Sequence, residues 1–408
     1  MTANGYLESL APFGMKLGLE RITALLDELE APQERLDAIH VVGTNGKSST
    51  VRFAAAALTA AGLRTGAYLS PHVTGWDERV QIDGRPIGPA AFAVALDRVQ
   101  EAARAVERER GEGPTQFEAL TAAAFFVLAE AGVEACVVEA GLGGRHDATR
   151  VVNARVVGLT NIGLDHQRVL GETREEILGE KLAVLERGAA LCVGVVADEL
   201  YAQAAALAAA AGASSERIAA GAGEGLPLHA AYLRDNAALA LRLAERFLEP
   251  RPLDRERAVA ALPAAVPPGR VELIEGAPPI LLDGAHNAEA MHALVGELDA
   301  VLGARRPRIG LVALQDDKPL AAMLGELAGS LDGLVATTSG HSGHSRALAA
   351  DELAAAARAA GFGDVAVEPD PLAALALARS RAGAGGAVVV AGSLYLLERL
   401  RTAALEAR

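Results

Sequence analysis

From Ala38 to Ala61 the chain passes from an apolar run (Ala38 to Val42) through a glycine-bracketed turn, Gly43-Thr44-Asn45-Gly46, into a stretch of small residues led by Lys47-Ser48-Ser49-Thr50. An apolar run bounded by glycine predicts a buried strand, and the stretch from Ser48 to Ala61 predicts a helix. Strand, tight turn and helix start together make a phosphate site. Backbone N–H groups and the positive helix end face a polyphosphate, the Lys47 ammonium reaches its terminal phosphates, and a following hydroxyl touches the accompanying metal. The nucleotide-binding residues predicted here are Thr44, Asn45, Gly46, Lys47, Ser48 and Ser49, with Lys47 also catalytic. The loop is a shorter variant of the usual pattern: Val41 occupies the place of the upstream glycine, and the nearest glycine is Gly43.

A chain of 408 residues is too long for one compact core, which predicts two domains. Its net charge of −14 argues against nucleic acid or an anionic membrane as partner. No apolar segment of about 18 residues and no basic-then-apolar leader is evident, so a soluble, unexported, cytoplasmic protein is expected. Cys136 and Cys192 lie in apolar, strand-like runs and suit a reducing compartment as buried small hydrophobes. Of the 38 basic residues only Lys16, Lys47, Lys181 and Lys318 are lysines. Where arginine is the default cation, a retained lysine points to a need for a compact primary amine, although chance survival also accounts for Lys16 and Lys318.

Residues 6 to 30 carry an amphipathic pattern that predicts an N-terminal packing helix. Arg64 to Leu69 predicts a second strand that delivers Ser70-Pro71-His72 to its carboxyl end, where ligands gather in open α/β sheets; a serine before proline is also a common turn former. Val80 to Ile87 predicts a hairpin about Asp83-Gly84, and Pro89 to Arg110 a helix. Thr115-Gln116-Phe117-Glu118 has the form of a Thr-x-x-Glu capping box. Ala135 to Val138 predicts a buried strand ending at Glu139, a carboxylate costly to bury unless it meets a cation. Glu139 is therefore a candidate Mg²⁺ ligand or holder of a metal-bound water, the alternative being an ion pair with Arg145. His166 follows the next strand, Arg155 to Thr160; it is either structural or a third member of a metal site with Ser70 and Glu139. Glu172 to Gly188 predicts a helix carrying Lys181, which serves as a counter-charge or, as a neutral amine, takes up carbon dioxide to give a metal-binding carbamate. Tyr232 to Leu248 predicts a helix bearing Asn236. Leu262 to Gly269, with three prolines and a glycine in eight residues, predicts a linker. Beyond it, strands near Pro279 to Leu282, Arg308 to Leu314, Gly333 to Thr337, Val365 to Val367 and Ala387 to Ala391 alternate with helices, which predicts a second parallel sheet covered on both faces.

In order and content, the segments LGLERI, HVVGTNGKSST, SPHVTGWDERVQIDGRPI, TQFEALTAAAF, EAGLGGRHDAT, TNIGLDHQRVLGETREEILGEK, PGRVELI, LLDGAHN and GSLYLLERLR resemble the folylpolyglutamate synthase/dihydrofolate synthase family of the Mur ligase superfamily. They run from about residue 16 to residue 401, nearly the whole chain. The resemblance implies an α/β protein: a P-loop ATPase-type domain with a mostly parallel sheet and pterin-binding loops (1–266), then a Rossmann-like glutamate-ligase domain (267–408). It implies that Ser70, Glu139 and His166 hold Mg²⁺ and that Lys181, carboxylated, lies near a second metal, His166 and Lys181 being catalytic. It further implies that Asn236, Arg270 and Asp283 contact ATP, and that Thr115, Gln116, Phe117, Glu118, Asp147, Ala148 and His286 border the substrates. The activity implied is ATP-dependent addition of L-glutamate to dihydropteroate or reduced folates through an acyl phosphate, by a protein expected to be a monomer. Domain closure over the nucleotide would then shield that intermediate from water.

The departures from the family pattern are Ser48 in place of a glycine, His146 in place of a leucine, Leu182-Ala183-Val184 after Glu180-Lys181, and Leu397-Glu398 where a glycine is common. Pro319 stands where an acidic residue follows Lys318 in related segments, and His341, His344 and Arg346 lie in a polar loop that is a candidate to face the incoming amino acid. A muramyl-peptide ligase would want a further N-terminal domain, whereas about 37 residues precede the first core strand. A nucleotide-gated binding protein would leave Glu139, His166 and Lys181 without purpose.

Overall fold

The structure, a computed structural model, describes residues 3–10, 18–72, 75–339 and 346–406. It divides into two compact units, Met1–Val266 and Pro267–Arg408. In the first, α1 (Ala3–Ser9) and α2 (Glu20–Asp27) precede β1 (Ala38–Val42), and the phosphate turn leads into α3 (Lys47–Ala60). There follow β2 (Thr65–Tyr68), the hairpin β3 (Val80–Ile82) and β4 (Arg85–Pro86), α4 (Pro89–Arg110), α5 (Gln116–Glu130), β5 (Ala135–Glu139) and β6 (Val156–Leu159). The short α6 (Gln167–Leu170), α7 (Arg174–Leu182), β7 (Ala190–Val193), α8 (Asp198–Ala211), β8 (Ser214–Arg217), α9 (Ala231–Leu248) and α10 (Arg255–Ala261) complete it.

The sheet has the order β4-β3-β2-β5-β1-β6-β7-β8 and is parallel from β2 to β8, with β3 and β4 antiparallel. β1 lies in the interior of this sheet with all five residues buried, which is why its sequence is an apolar run and not an alternation. Because β2, β5, β1 and β6 are parallel neighbours, the turns after Tyr68, Glu139, Val42 and Leu159 emerge at one edge of the sheet. On its faces, α2, α4 and α5 share one apolar cluster with Tyr68, Cys136 and Val138, and α7 and α8 share another with Val157, Leu159, Leu191 and Val193. Cys136 and Cys192 are free and buried. Gly158 gives Leu243 of α9 room to lie on β6, since a Cβ there would run into its side chain.

The hairpin turns at Asp83 and Gly84, both with positive φ (51° and 75°), the pairing a tight two-residue β-turn requires. Two expected helices come out differently. The pattern over residues 6 to 30 is split between α1 and α2, with Lys16 outside the described residues. The run from Glu172 to Gly188 is helical only over α7, which opens at a Thr173/Glu176 capping box. Val184 and Leu185 then turn inward to be buried, and Gly188 takes a φ of 84°.

The second unit contains β9 (Glu272–Ile274), β10 (Ile280–Leu282), α11 (Ala288–Leu302), β11 (Arg308–Val312), α12 (Leu320–Leu327), β12 (Gly333–Ala336), α13 (Ala350–Ala359), β13 (Val365–Val367), α14 (Pro371–Ala382), β14 (Ala387–Ala391) and α15 (Leu394–Glu406). Its sheet runs β13-β12-β11-β14-β10-β9, parallel except for β9, which pairs antiparallel with β10. Among the described residues no helix is long and apolar enough to cross a membrane.

Candidate active site

The phosphate turn is held by the loop that follows β6. Thr44 N–H donates to the Asn161 carbonyl (3.0 Å) and Asn45 N–H to Asn161 Oδ1 (2.9 Å). The Thr160 hydroxyl donates to the Asn45 carbonyl (2.7 Å), and Gly163 N–H to Thr44 Oγ1 (2.9 Å). Gly43 and Gly46 take φ of 147° and 84°; a Cβ would collide with the Thr160 side chain at the first and with the Asn236 amide at the second. Asn236 therefore lies against the phosphate turn. Five residues inside α9, it is not a helix cap.

Two lysines converge on one carbonyl. Lys47 Nζ donates to the oxygens of Gly43 (3.1 Å) and Thr44 (3.0 Å), and Lys181 Nζ donates to the same Gly43 oxygen at 2.8 Å. Lys181 is buried, and its amine is drawn down to about 7, chiefly by desolvation and then by the Lys47 charge; Asp165 and Asp147 act the other way. Two amines so close to one oxygen set N–H donors, and at Lys47 a charge, where an anion would be received. In the first turn of α3, Ser49 Oγ and Thr50 Oγ1 are buried and make no hydrogen bond among the described residues. Such orphaned hydroxyls fit a polar ligand at this helix end.

Glu139, the last residue of β5, is almost fully buried. Its Oε1 accepts from Ser48 Oγ (2.8 Å) and its Oε2 from Ser70 N–H (3.0 Å), so Ser48, Ser70 and Glu139 form one cluster. The alternative ion pair is absent, because Arg145 instead bonds Glu180 at 3.2 Å. His166 caps α6 in a left-handed conformation (φ 52°), and its ring lies half-exposed with Nε2 3.9 Å from Asp165 Oδ1. Among the described residues no group of three or more His, Cys, Asp or Glu side chains is assembled to hold a metal. Magnesium does not demand one: it is commonly held by one or two carboxylates, with substrate phosphates and water completing its shell.

Much of the expected substrate border is engaged in holding the protein together. Thr115 and Glu118 form the capping box of α5, and Glu118 also takes a buried ion pair from Arg21 (3.1 Å). Gln116 Nε2 donates to the Leu7 carbonyl (2.9 Å), tying down the N-terminal helix. The Phe117 ring lies over Gly141, where a Cβ would strike it, and stacks 6.3 Å from Tyr68. Asp147 closes the glycine loop, accepting from Leu142 N–H (2.6 Å), Thr149 N–H (3.0 Å) and the Thr149 hydroxyl; Ala148 is buried beside it. Burial raises the Asp147 carboxyl and these bonds oppose the rise. Thr149 Oγ1 in turn lies 2.8 Å from His40 Nε2 in the middle of β1, a ring that burial lowers to about 4 and so keeps neutral.

In the second unit Asp283 is buried and accepts from Val271 N–H (2.9 Å) and Ala285 N–H (2.8 Å). Arg270 Nη1 donates to the Gly269 carbonyl (3.1 Å), and His286 Nδ1 lies 2.9 Å from the Gly284 carbonyl. Lys318 is nearly buried, 3.6 Å from Asp317, and Arg346 pairs with Asp316. His341 and His344 lie outside the described residues. The sequence reading missed Asn161, Asp165 and His40. Asn161 lies just past the end of β6 and Asp165 in the same loop beside His166, where the rule that singled out His166 applied to both. His40 was marked by being a polar residue in a wholly buried strand.

Comparison with known proteins places the chain in a family. Residues 269–394 match the family described as "Mur ligase, glutamate ligase domain". The dihydrofolate synthase/folylpolyglutamate synthase of Mycobacterium tuberculosis is 35% identical over 379 residues, covering 83% of this chain and 77% of the relative. The solved Mycobacterium tuberculosis folylpolyglutamate synthase complexed with ADP superposes with a TM-score of 0.89 at 32% identity, over 98% of this chain and 97% of that one. A bifunctional folylpolyglutamate synthase/dihydrofolate synthase with Mn, AMPPNP and L-glutamate bound gives 0.86 at 30% identity, over 99% and 98%. The fold is that of a Mur-type ligase. More narrowly, the chain belongs to the dihydrofolate synthase/folylpolyglutamate synthase family.

Proposed function

We propose that this ligase works on both dihydropteroate and reduced folates, driving each addition of L-glutamate through an acyl phosphate made at the Gly43–Ser49 turn. Glutamate ligation at the expense of ATP is the activity of its family, and the chain is an enzyme of that kind. The observation that carries the finer reading is the convergence of Lys47 and Lys181 on the Gly43 oxygen, beside the Ser48–Glu139–Ser70 cluster. Forming an acyl phosphate requires charge neutralisation and alignment and no protein nucleophile. Lys47 would swing from its carbonyls to the terminal phosphates, while N–H groups at the start of α3 and the unpartnered Ser49 hydroxyl receive the rest of the polyphosphate. Ser70, Glu139 and His166 would hold Mg²⁺, with a second ion near Lys181; the metal supplies charge neutralisation on the phosphates. Asn236, Arg270 and Asp283 are read as nucleotide contacts. Phe117, against the glycine loop, is the member of the Thr115–Glu118 segment best supported as a wall for the pterin, with His286 read as facing the incoming amino acid.

Lys181 is read as carboxylated: its neutral amine adds to carbon dioxide, forming a C–N bond and releasing a proton, and the product is an anion suited to metal. Burial that favours the neutral amine supports this. Crystals grown with bicarbonate and metal that showed a bare amine at Lys181 would rule it out. Free buried cysteines support a reducing, cytoplasmic setting.

The test is glutamate-dependent ADP release with dihydropteroate and, separately, with a reduced folate. Turnover of both is expected, and Lys47→Ala is expected to lower kcat by about a thousandfold, the scale of a lost phosphate-stabilising cation. Undiminished turnover in Lys47→Ala, or turnover of one pterin alone, would refute the corresponding half.

A further inference from the structure

We propose that Glu272 and Arg401 are positioning residues which hold the turn carrying Arg270 in a single conformation, so that its guanidinium is aimed before the nucleotide arrives. This rests on the reading of Arg270 as a nucleotide contact. The turn is unusual in its backbone. Gly269 has a φ of 67°, and Val271, a β-branched residue, has a φ of 46°, a conformation in which its Cβ crowds the backbone. Such a residue persists only where its surroundings over-determine it.

Four contacts do so. Asp283 accepts the Val271 N–H at 2.9 Å, and Gly284 N–H donates to the Gly269 carbonyl at 2.9 Å. The Val271 side chain is wholly buried. The fourth contact comes from the end of the chain: Arg401 of α15 grips Glu272 with both arms of its fork, Nη2 at 2.8 Å from Oε1 and Nε at 3.0 Å from Oε2, and Glu272 Oε2 accepts the Gly269 N–H at 2.8 Å. Arg270 is thus bracketed. The residue before it is tied through Glu272 to α15, and the residue after it is tied to Asp283. Its own Nη1 lies across Gly284, where a Cβ would displace it.

A fork-shaped guanidinium fixes a carboxylate's plane as well as its place, which a lysine cannot do. Glu272 therefore presents a fixed oxygen to Gly269, and the turn forgoes the freedom a glycine would otherwise have. An arginine ordered in advance loses less entropy on meeting a phosphate, so the expected signature is in ATP binding rather than in the chemical step.

The experiment is a cycle of variants in the full-length enzyme, read as ATP KM and kcat. Glu272→Ala and Arg401→Ala are each expected to raise ATP KM about tenfold with kcat changed less than threefold, and Arg401→Lys to recover only part of the loss. In an Arg270→Ala background, Glu272→Ala is expected to add less than about twofold, because its effect passes through Arg270. A Glu272→Ala effect equally large in that background would show a general structural role and overturn the proposal. Should Arg270→Ala raise KM while Glu272→Ala and Arg401→Lys leave it unchanged, the proposal fails and the reading of Arg270 survives. An Arg270→Ala variant with unaltered KM defeats both.

Discussion

The two units each build a rigid turn at a strand end, and they do it by different means. In the first, the phosphate turn is an unstrained glycine turn locked from outside by Thr160, Asn161 and Asn236, residues far away in sequence. Beneath it lies a buried polar chain, His40–Thr149–Asp147, that fixes the neighbouring glycine loop. In the second, the turn at Gly269–Val271 contains its own strain and is held by carboxylates close in sequence, Glu272 and Asp283. A turn that must wrap around a polyphosphate keeps the N–H groups at its helix start open, so its supports take hold upstream, at the N–H groups of Thr44 and Asn45. A turn that only has to aim one side chain can tie up its own N–H groups and accept strain. The first design is exposed to protonation of its hidden groups, and the second to loss of a single carboxylate.

The largest effect that separates the two is therefore on acid stability. His40 has a folded value of about 4, below the 6.5 of the exposed ring. Its contribution is fully present above pH 6.5 and is lost as the pH falls toward 4, because unfolding then takes up a proton that the buried ring refuses. The full difference is of order 3 kcal/mol at about 1.4 kcal/mol per pH unit. His40→Gln should make the decline of Tm between pH 7 and pH 5 visibly shallower, whatever it does to Tm at pH 7. An unchanged slope would mean that the ring does not titrate with unfolding.

Next in size is the carboxylate of the second turn. Asp283→Asn keeps one acceptor oxygen but turns an amide toward the N–H of Val271 or Ala285, leaving a buried donor unmet at a cost of about 2 kcal/mol. Thermal unfolding of the variant should be correspondingly lower and, unlike that of the His40 variant, should show its deficit equally at pH 6 and pH 8. A deficit that vanished at either pH would mean the strained turn is supported by something other than Asp283.

The same contrast explains what could be read in the sequence. The Gly46-Lys47 turn, the Thr115/Glu118 cap and the Glu139 strand end were legible because each is a local pattern whose chemistry is complete within a few residues. The two-sheet α/β fold was legible from alternating apolar runs. The clamp of Asn161 on Asn45, the meeting of Lys181 with Gly43 and the contact of His40 with Thr149 join residues 116, 138 and 109 positions apart, and no short-range rule reports such pairs. The overlong helix expected from Glu172 to Gly188 failed for a related reason. Propensity favours continuing through Leu182-Ala183-Val184-Leu185, but burying Val184 and Leu185 requires the chain to leave the helix. Ser48 is instructive in the other direction: noted as a departure from the family pattern, it proves to be the residue whose hydroxyl meets Glu139.

The smallest effect is the most direct test of whether the second turn stores strain. Val271 and Val41 are both fully buried valines, the first left-handed at φ 46° and the second in the interior of β1. Replacing Val41 by glycine forfeits a buried side chain, about 2–3 kcal/mol, and adds roughly 0.5–1 kcal/mol for the extra freedom of an unfolded glycine. Val271→Gly forfeits the same side chain and pays the same entropy, but it also releases a left-handed conformation that costs a β-branched residue about 1–3 kcal/mol. The net loss at Val271 should therefore be roughly 1 kcal/mol, against about 3 kcal/mol at Val41, as measured by the two Tm values under one condition. If the two variants lose equal stability, Val271 is not strained and the turn is held by its side-chain packing alone. If Val271→Gly is the milder, the difference between the two deficits is itself the measure of the strain that the Asp283 and Glu272 contacts keep in place.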